Sequence, residues 1–402
     1  SSVQRSRRHD ARDGMMHADK LPDVGTTIFT VMSRRAAELG ALNIGQGFPD
    51  YPIDTKLADA LAAAVTAGHN QYAPMEGSLP LREAIAAKLR ASHGVGIDPL
   101  AEITVTCGAT EAIYSAIQAV IGPGDEAIVF DPAYDSYDPA IRLAGGHAVH
   151  VPLAPPQFRY DWDRVRAAIT PRTRLVIVNT PLNPACTVTR AGDLDALAQL
   201  LRARPILLLA DEVYEHVIFD GRRHESVLAH EELRARSFVV YSFGKTLHAT
   251  GWRTGYCVAP PALTIELRKV HQYNTFSIAA PLQAAIAHYL PRHPECWRDL
   301  PAFFQRKRDR LLGSLEGSGL RLQPAEGTYF QLLDYSAIAP GMGDLEFAQR
   351  LLEEGGVATI PLSPFYRDPP RLPFVRVCFA KGEATLDAAA QRLRAFAARA
   401  TG

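Results

Sequence analysis

Lys245 and Arg253 lie within one stretch, SFVVYSFGKTLHATGWRTGYCVAP, that runs from Ser237 to Pro260. Its run Phe238-Val239-Val240-Tyr241 has the β-branched and aromatic make-up of a buried strand, and Ser242-Phe243-Gly244 turns the chain into Lys245. A lysine just past a buried strand is held at the edge of the core. Partial desolvation there lowers its pKa and makes its amine a nucleophile. Ser242 adds a hydroxyl and Arg253 a planar forked cation, both usual partners of a phosphate. Together they suit an aldehyde that carries a phosphate. By position alone Lys245 would read as an ordinary solvated amine, so the rest of the chain has to support the assignment.

Apolar runs at 103–106, 127–130, 175–178, 206–210, 238–241 and 256–259 alternate with helix patterns. They predict an α/β fold with a mostly parallel, helix-covered sheet. Chemically able residues stand at the ends of these runs. Ile206–Ala210 is uninterrupted, as in a strand buried on both faces, and leads into Asp211-Glu212-Val213-Tyr214. Open α/β sheets bind ligands at that end of a strand. Gly108-Ala109-Thr110 is a small-residue turn before a helix whose apolar face falls at 113, 116, 117, 120 and 121. Its free N–H groups and helix dipole favour an anion. Asn183 sits in the rigid polar turn Asn179-Thr180-Pro181-Leu182-Asn183-Pro184. Arg376 interrupts the apolar strand Phe374–Phe379 and needs an anion to offset its burial, either a structural carboxylate or a ligand. Tyr134, in Asp131-Pro132-Ala133-Tyr134-Asp135-Ser136-Tyr137, either packs on the core or stacks on a ligand. Helices are expected over Thr27–Leu39, over Pro80–Leu89 and through a long region from Pro260 to about Arg310, with a further strand at Thr328–Leu333.

The string S-F-G-K-x-x-x-x-x-G-W-R-x-G-Y resembles the cofactor-lysine segment of the class I/II aminotransferases, fold-type I enzymes that use pyridoxal 5′-phosphate (PLP). The resemblance covers nearly everything from Leu21 onward. GTTIFT, Q-G-F-P-D, N-Q-Y-A-P, D-P-x-Y-D-S-Y and C-F-A-K look like the bacterial methionine and kynurenine aminotransferase group. It implies a large PLP-binding domain over residues 48–290 and a smaller α+β domain over 291–402. Residues 21–47 would join the small domain, and 1–20 would form a mobile basic arm. By the same resemblance Lys245 carries the cofactor and moves the substrate proton, and Asp211 pairs with the pyridine nitrogen. Asn183 and Tyr214 bond the 3-oxygen, and Tyr134 stacks on the ring. Gly108, Ala109, Thr110, Ser242 and Arg253 hold the phosphate. Tyr72 reaches that phosphate from a partner subunit, which makes the protein a homodimer with shared sites. Gly47 and Arg376 receive the substrate carboxylate, while Ile28, Phe29, Tyr366 and the partner's copy of Phe276 enclose the side chain. Ala185-Cys186 departs from the usual Thr-Gly after Asn183-Pro184 and leaves that turn's geometry open. The implied reaction moves an amino group from a hydrophobic or aromatic amino acid to a 2-oxo acid. A carbon–sulfur β-lyase is the rival reading on the same fold.

Composition sets outer limits. Lys+Arg 43 balances Asp+Glu 43, which argues against a broad nucleic-acid or membrane footprint. No apolar run reaches transmembrane length. Five scattered cysteines without a C-x-x-C argue against a disulfide framework or a metal site and fit the cytoplasm. The first fifteen residues are basic and serine-rich, with Met16 as the expected natural beginning. The stretch Val270–Pro291 holds no Lys or Arg, so no second cation is expected for an acidic substrate side chain.

Overall fold

A computed structural model describes residues 19–400; the arm expected over 1–20 falls almost wholly outside the described residues. Among the described residues there are twelve strands: β1 (Leu42–Asn43), β2 (Ile103–Thr106), β3 (Glu126–Asp131), β4 (His147–Pro152), β5 (Thr173–Asn179), β6 (Leu207–Asp211), β7 (Ser237–Ser242), β8 (Gly255–Val258), β9 (Phe330–Asp334), β10 (Val357–Ala358), β11 (Ile360–Pro361) and β12 (Phe374–Cys378). Seven of them form the central sheet, in the order β2-β8-β7-β6-β5-β3-β4. All six strands expected for this sheet are in it.

The sheet separates two apolar layers, and strand alternation divides the residues between them. Val176, Val178, Leu208, Ala210, Val239 and Tyr241 pack on one side. Leu175, Ile177, Leu209, Phe238 and Val240 pack on the other with Ile113 and Ile117 of the helix Gly108–Val120. Strands β3 to β7 pair in parallel, whereas β8 runs antiparallel to both β7 and β2. The reason lies in the connection. Residues 243–254 between β7 and β8 hold only the single turn Phe243–Thr246 and a 3₁₀ turn, not a crossover helix that would return the chain to the same end. That short return contains Lys245.

The parallel arrangement brings the carboxyl ends of β3, β5, β6 and β7 to one edge; Asp211 ends β6, and Tyr134, Asn183 and Lys245 follow β3, β5 and β7 in sequence. A second, antiparallel sheet, β11-β12-β9, carries Arg376 at the centre of its middle strand. The N-terminal segment joins this part of the molecule: β1 pairs in parallel with β10 (Leu42 with Val357), and Cys378 N donates to Ile44 O.

Some expectations shift. The region after Pro260 is four helices, Pro261–Asn274, Ala280–Tyr289, Glu295–Arg298 and Leu300–Leu315, divided near Pro281, Pro291, Pro294 and Pro301. Proline in a helix interior removes an N–H and clashes with the preceding turn. The strand expected from Thr328 begins two residues later, because Thr328 has φ of 69°.

Candidate active site

Lys245 lies in a single helical turn, Phe243–Thr246, that starts as soon as β7 ends. Its Nζ donates to the Tyr329 hydroxyl at 2.8 Å, and Tyr329 donates in turn to Gly47 O at 2.5 Å. The surrounding protein desolvates the amine, and with help from Arg253 and Arg376 this brings its pKa down to about 8. A cavity of about 120 Å³ opens beside it, bordered by Ala109, Thr110, Tyr134, Asn183, Asp211, Tyr214, Ser242 and Arg253 among others. These eight are residues named from the sequence, drawn from six separate segments.

Glycine is required at the phosphate end. Gly108 has φ of 69°, and a Cβ there would stand 2.7 Å from Arg253 Nη2. Its absence lets the Arg253 guanidinium lie against the first turn of the helix Gly108–Val120, where backbone N–H groups have no partner within the helix. Arg253 adopts the left-handed conformation (φ 49°, ψ 49°) and is exposed, with only Thr250 O accepting from its Nη1. Helix N-terminus, guanidinium and the Ser242 hydroxyl bring together donors of the kind that suit a dianion.

Asp211 is 4% exposed. Tyr137 OH donates to its Oδ2 at 2.6 Å, and Asn179 Nδ2 donates to its carbonyl at 2.9 Å. Burial pushes the carboxyl up to about 6, while Tyr137 and Lys245 pull it down. It is poised to ionise fully once a cation sits beside it. The residues that follow divide between two directions. Asp211, Val213 and Tyr214 border the cavity. Glu212 faces away and accepts from Val227 N, Ser226 Oγ, Tyr241 OH and His224 Nε2. Glu215, also behind, is held by Lys88 and His93.

Arg376 is 1% exposed. Its Nη1 donates to Asn183 Oδ1 at 2.7 Å and its Nη2 to Gly45 O at 3.0 Å, while Nε has no partner. The Phe330 ring centre lies 3.8 Å from the guanidinium carbon, with Phe29 at 5.2 Å and Phe365 at 5.6 Å. Burial lowers its pKa, Tyr214 is the first of the groups that oppose this, and among the described residues no carboxylate forms an ion pair with it. No structural ion pair therefore accounts for Arg376. It is a desolvated cation with an open donor, as a bound carboxylate requires. Asn183 uses its oxygen on Arg376, which leaves its Nδ2 free to donate into the cavity.

The loop 43–50 is fastened at both ends. Asn43 Oδ1 accepts from Gly45 N, Lys381 Nζ donates to Phe48 O, and Asp50 accepts from Gly382 N and Thr385 Oγ1. At Gly47 a Cβ would stand 2.5 Å from Phe330 Cζ, so this glycine is needed for packing on Phe330.

A second cavity, of about 360 Å³, adjoins the first, with Tyr134 bordering both; Ile28, Phe29 and Tyr366 line it. Thr27 caps the helix that presents Ile28 and Phe29, its side chain accepting from Thr30 N. Tyr72 and Phe276 border neither cavity. They lie together on the surface, ring centres 5.3 Å apart. Cys186 is buried with φ of 63°, so the turn keeps a glycine-like backbone without a glycine.

Sequence reading missed Tyr329, Phe330, Phe365 and Tyr137. Tyr137 closes the quoted D-P-x-Y-D-S-Y string and was readable there. Tyr329 meets Lys245 across 84 positions and Gly47 across 282, and no local pattern signals that.

The donor set fits pyridoxal 5′-phosphate, with donors suited to a dianion at one end, a carboxylate at Asp211, an amide donor at Asn183 and an amine of lowered pKa at Lys245. The family model described as aminotransferase class I and II matches residues 40–393. The methionine aminotransferase of Escherichia coli K12 is 52% identical over 93% of this chain and 97% of its own length. Human kynurenine–oxoglutarate transaminase 1 is 32% identical over 94% and 98%. The crystal structure of an E. coli protein with methionine aminotransferase function superposes with a TM-score of 0.93 at 51% identity, covering 95% of this chain and all of that one. With this fold, this site and these relatives, the chain belongs to the class I and II aminotransferases and is a pyridoxal-phosphate-dependent transaminase.

Proposed function

We propose that the chain transfers the amino group of a hydrophobic or aromatic amino acid, of the methionine, phenylalanine, tyrosine or kynurenine type, to a 2-oxo acid by a ping-pong mechanism. The observation that carries this reading is Arg376, a buried guanidinium with no carboxylate, backed by the aromatic rings Phe29, Phe330 and Phe365. It suits one α-carboxylate beside an apolar side chain.

The surroundings of each residue support the role that the family resemblance implies. Gly108, Ala109, Thr110, Ser242 and Arg253 bind the phosphate. Asp211, positioned by Tyr137 and Asn179, holds a proton at the ring nitrogen. With PLP bound, Asn183 Nδ2 and the Tyr214 hydroxyl would hold the 3-oxygen, and Tyr134 would cover the ring. When bound, PLP supplies the cationic ring that draws electrons from the substrate α-carbon. Lys245 anchors the cofactor, and its freed amine takes and returns the α-carbon proton. A pKa near 8 leaves part of that amine neutral at physiological pH, as a general base requires. Tyr329 keeps the amine in place.

The reading includes a homodimer. Tyr72 is 85% exposed and Phe276 44%, and together they make an exposed aromatic patch. Such patches mark interfaces, and a two-fold dimer would carry Tyr72 and Phe276 to the other subunit's site. Among the described residues no helix is long and apolar enough to cross a membrane, and all five cysteines are free thiols. The thiols support a cytoplasmic setting.

The test is kcat/KM for methionine, phenylalanine and aspartate with one fixed 2-oxo acid. Burying an unpaired side-chain carboxylate costs several kcal/mol. Aspartate should therefore fall at least about a hundredfold below the other two. Aspartate matching either one sinks the reading.

A further inference from the structure

Three side chains in or beside strands β9 and β12 donate to carbonyls of the loop 45–48. Arg376 Nη2 donates to Gly45 O at 3.0 Å, the Tyr329 hydroxyl to Gly47 O at 2.5 Å, and Lys381 Nζ to Phe48 O at 2.7 Å. Of these, Tyr329 also meets the reactive amine, with Lys245 Nζ 2.8 Å from its oxygen.

The two bonds of Tyr329 fix each other's direction. A carbonyl has no proton to give, so the hydroxyl is the donor to Gly47 O. Its single proton is then spent, and towards Lys245 the oxygen can only accept. Burial holds the phenol well above its ordinary pKa, so that proton stays on the oxygen. The side chain is 1% exposed and packs against the rings of Tyr214, Phe304 and Phe330, with centres 5.1, 5.6 and 5.0 Å away, which fixes where the oxygen sits. An amine that donates one N–H to this oxygen keeps its lone pair uncovered. A hydroxyl turned the other way would cover the lone pair and block the amine as a base.

We propose that Tyr329 is a positioning residue that sets the direction of this bond: anchored by the Gly47 carbonyl, it holds the freed Lys245 amine by an N–H and leaves the lone pair for the α-carbon proton. This rests on the reading that Lys245 moves that proton. It adds to that reading how a hydroxyl can hold the amine without disabling it, and it gives the Gly47 carbonyl a part in the proton transfer.

The test is Tyr329→Phe, which keeps the ring and removes the oxygen. The first readout needs neither cofactor nor substrate. It is the pKa of Lys245 in the cofactor-free protein, from competitive acetylation with acetic anhydride across pH, quantified on the peptide that contains Lys245. Acceptance by Tyr329 favours the ammonium form, so removing the oxygen should lower this pKa by about half a unit or more. A hydroxyl that donated to the lone pair would favour the neutral amine, and its removal would raise the pKa. Cys378, Arg253, Arg376 and Asp211, whose charges also act on the amine, are left in place. The second readout uses the holoenzyme. The kcat for methionine should fall by about tenfold to a hundredfold, because the amine is no longer held in line. The calorimetric Kd of 4-methylpentanoate should stay within about twofold, because Arg376 is untouched. A pKa that rises or stays put, a kcat within about threefold of the wild type, or a Kd that weakens in step with kcat overturns the proposal. Lys245→Ala separates the two levels. If that variant keeps a tenth of wild-type turnover, the reading of Lys245 falls. If it is inactive and the Tyr329→Phe results fail, only the role of Tyr329 falls.

Discussion

Replacing Arg376 with methionine separates a ligand-binding arginine from a structural one. Methionine fills a comparable volume with apolar, adaptable atoms, which suits a site walled by Phe29, Phe330 and Phe365. The catalytic loss follows from the geometry. A carboxylate gripped by the guanidinium receives two charge-assisted hydrogen bonds of about 1.5–3 kcal/mol each. Losing both lowers kcat/KM for methionine by roughly 10²–10⁴. Stability is a balance of opposing terms. The variant strips Asn183 Oδ1 and Gly45 O of their donor, about 1–3 kcal/mol each. It also removes a cation that is 1% exposed and has no carboxylate partner, a relief of several kcal/mol. These nearly cancel, so the substrate-free thermal midpoint should move by less than about 4 °C. Steady-state kinetics and thermal melts, with and without 4-methylpentanoate, make the measurement. The ligand should raise the midpoint of the wild type and leave that of the variant unmoved. A variant that keeps more than a tenth of kcat/KM refutes the carboxylate-binding role. A collapse of the midpoint by more than about 10 °C shows that Arg376 is structural.

Lys245→Ala should lose several orders of magnitude in turnover while keeping its circular dichroism, and retention of a tenth would refute the assignment. In the cofactor-free protein the Lys245 pKa drops from 10.5 unfolded to about 8 folded, so the unfolded state binds more protons between those values. The wild type should therefore gain stability relative to Lys245→Ala as pH rises from 8 to 10.5, and a flat difference would contradict the desolvation argument. Tyr72→Phe should be strongly impaired, and mixed dimers of Tyr72→Phe and Lys245→Ala chains should regain one native site per dimer; verified hybrids without recovery would exclude a shared site.

Legibility followed the range of each interaction. β6 was readable because a strand buried on both faces must be apolar throughout, and Asp211 then marked its end. The turn to Lys245 and the Gly108 turn were readable for the same reason, since each is local to one strand end. Strand β4, His147–Pro152, went unseen because it is an edge strand, part-exposed for most of its length and without an apolar run. Its His150 then proved to border the second cavity. The antiparallel β8 was visible as a strand but not as a reversal, which depends on whether the connection before it holds a crossover helix.

The division of Asp211–Glu215 between two directions has an evolutionary consequence. The segment that faces the cofactor pocket is secured from behind, where Glu212 and Glu215 grip Ser226, Tyr241, His224, Lys88 and His93. The walls of the second cavity come from residues 23–29, 131–142 and 364–367, with His150 from β4. None of those walls includes a residue that secures Glu212 or Glu215. Mutation can therefore remodel the walls at 23–29 and 364–367 without loosening that strand end, whereas 131–142 also carries Tyr137, whose hydroxyl bonds Asp211. A lineage built on this scaffold is free to exchange one amino donor for another by small steps, each intermediate remaining a working transaminase.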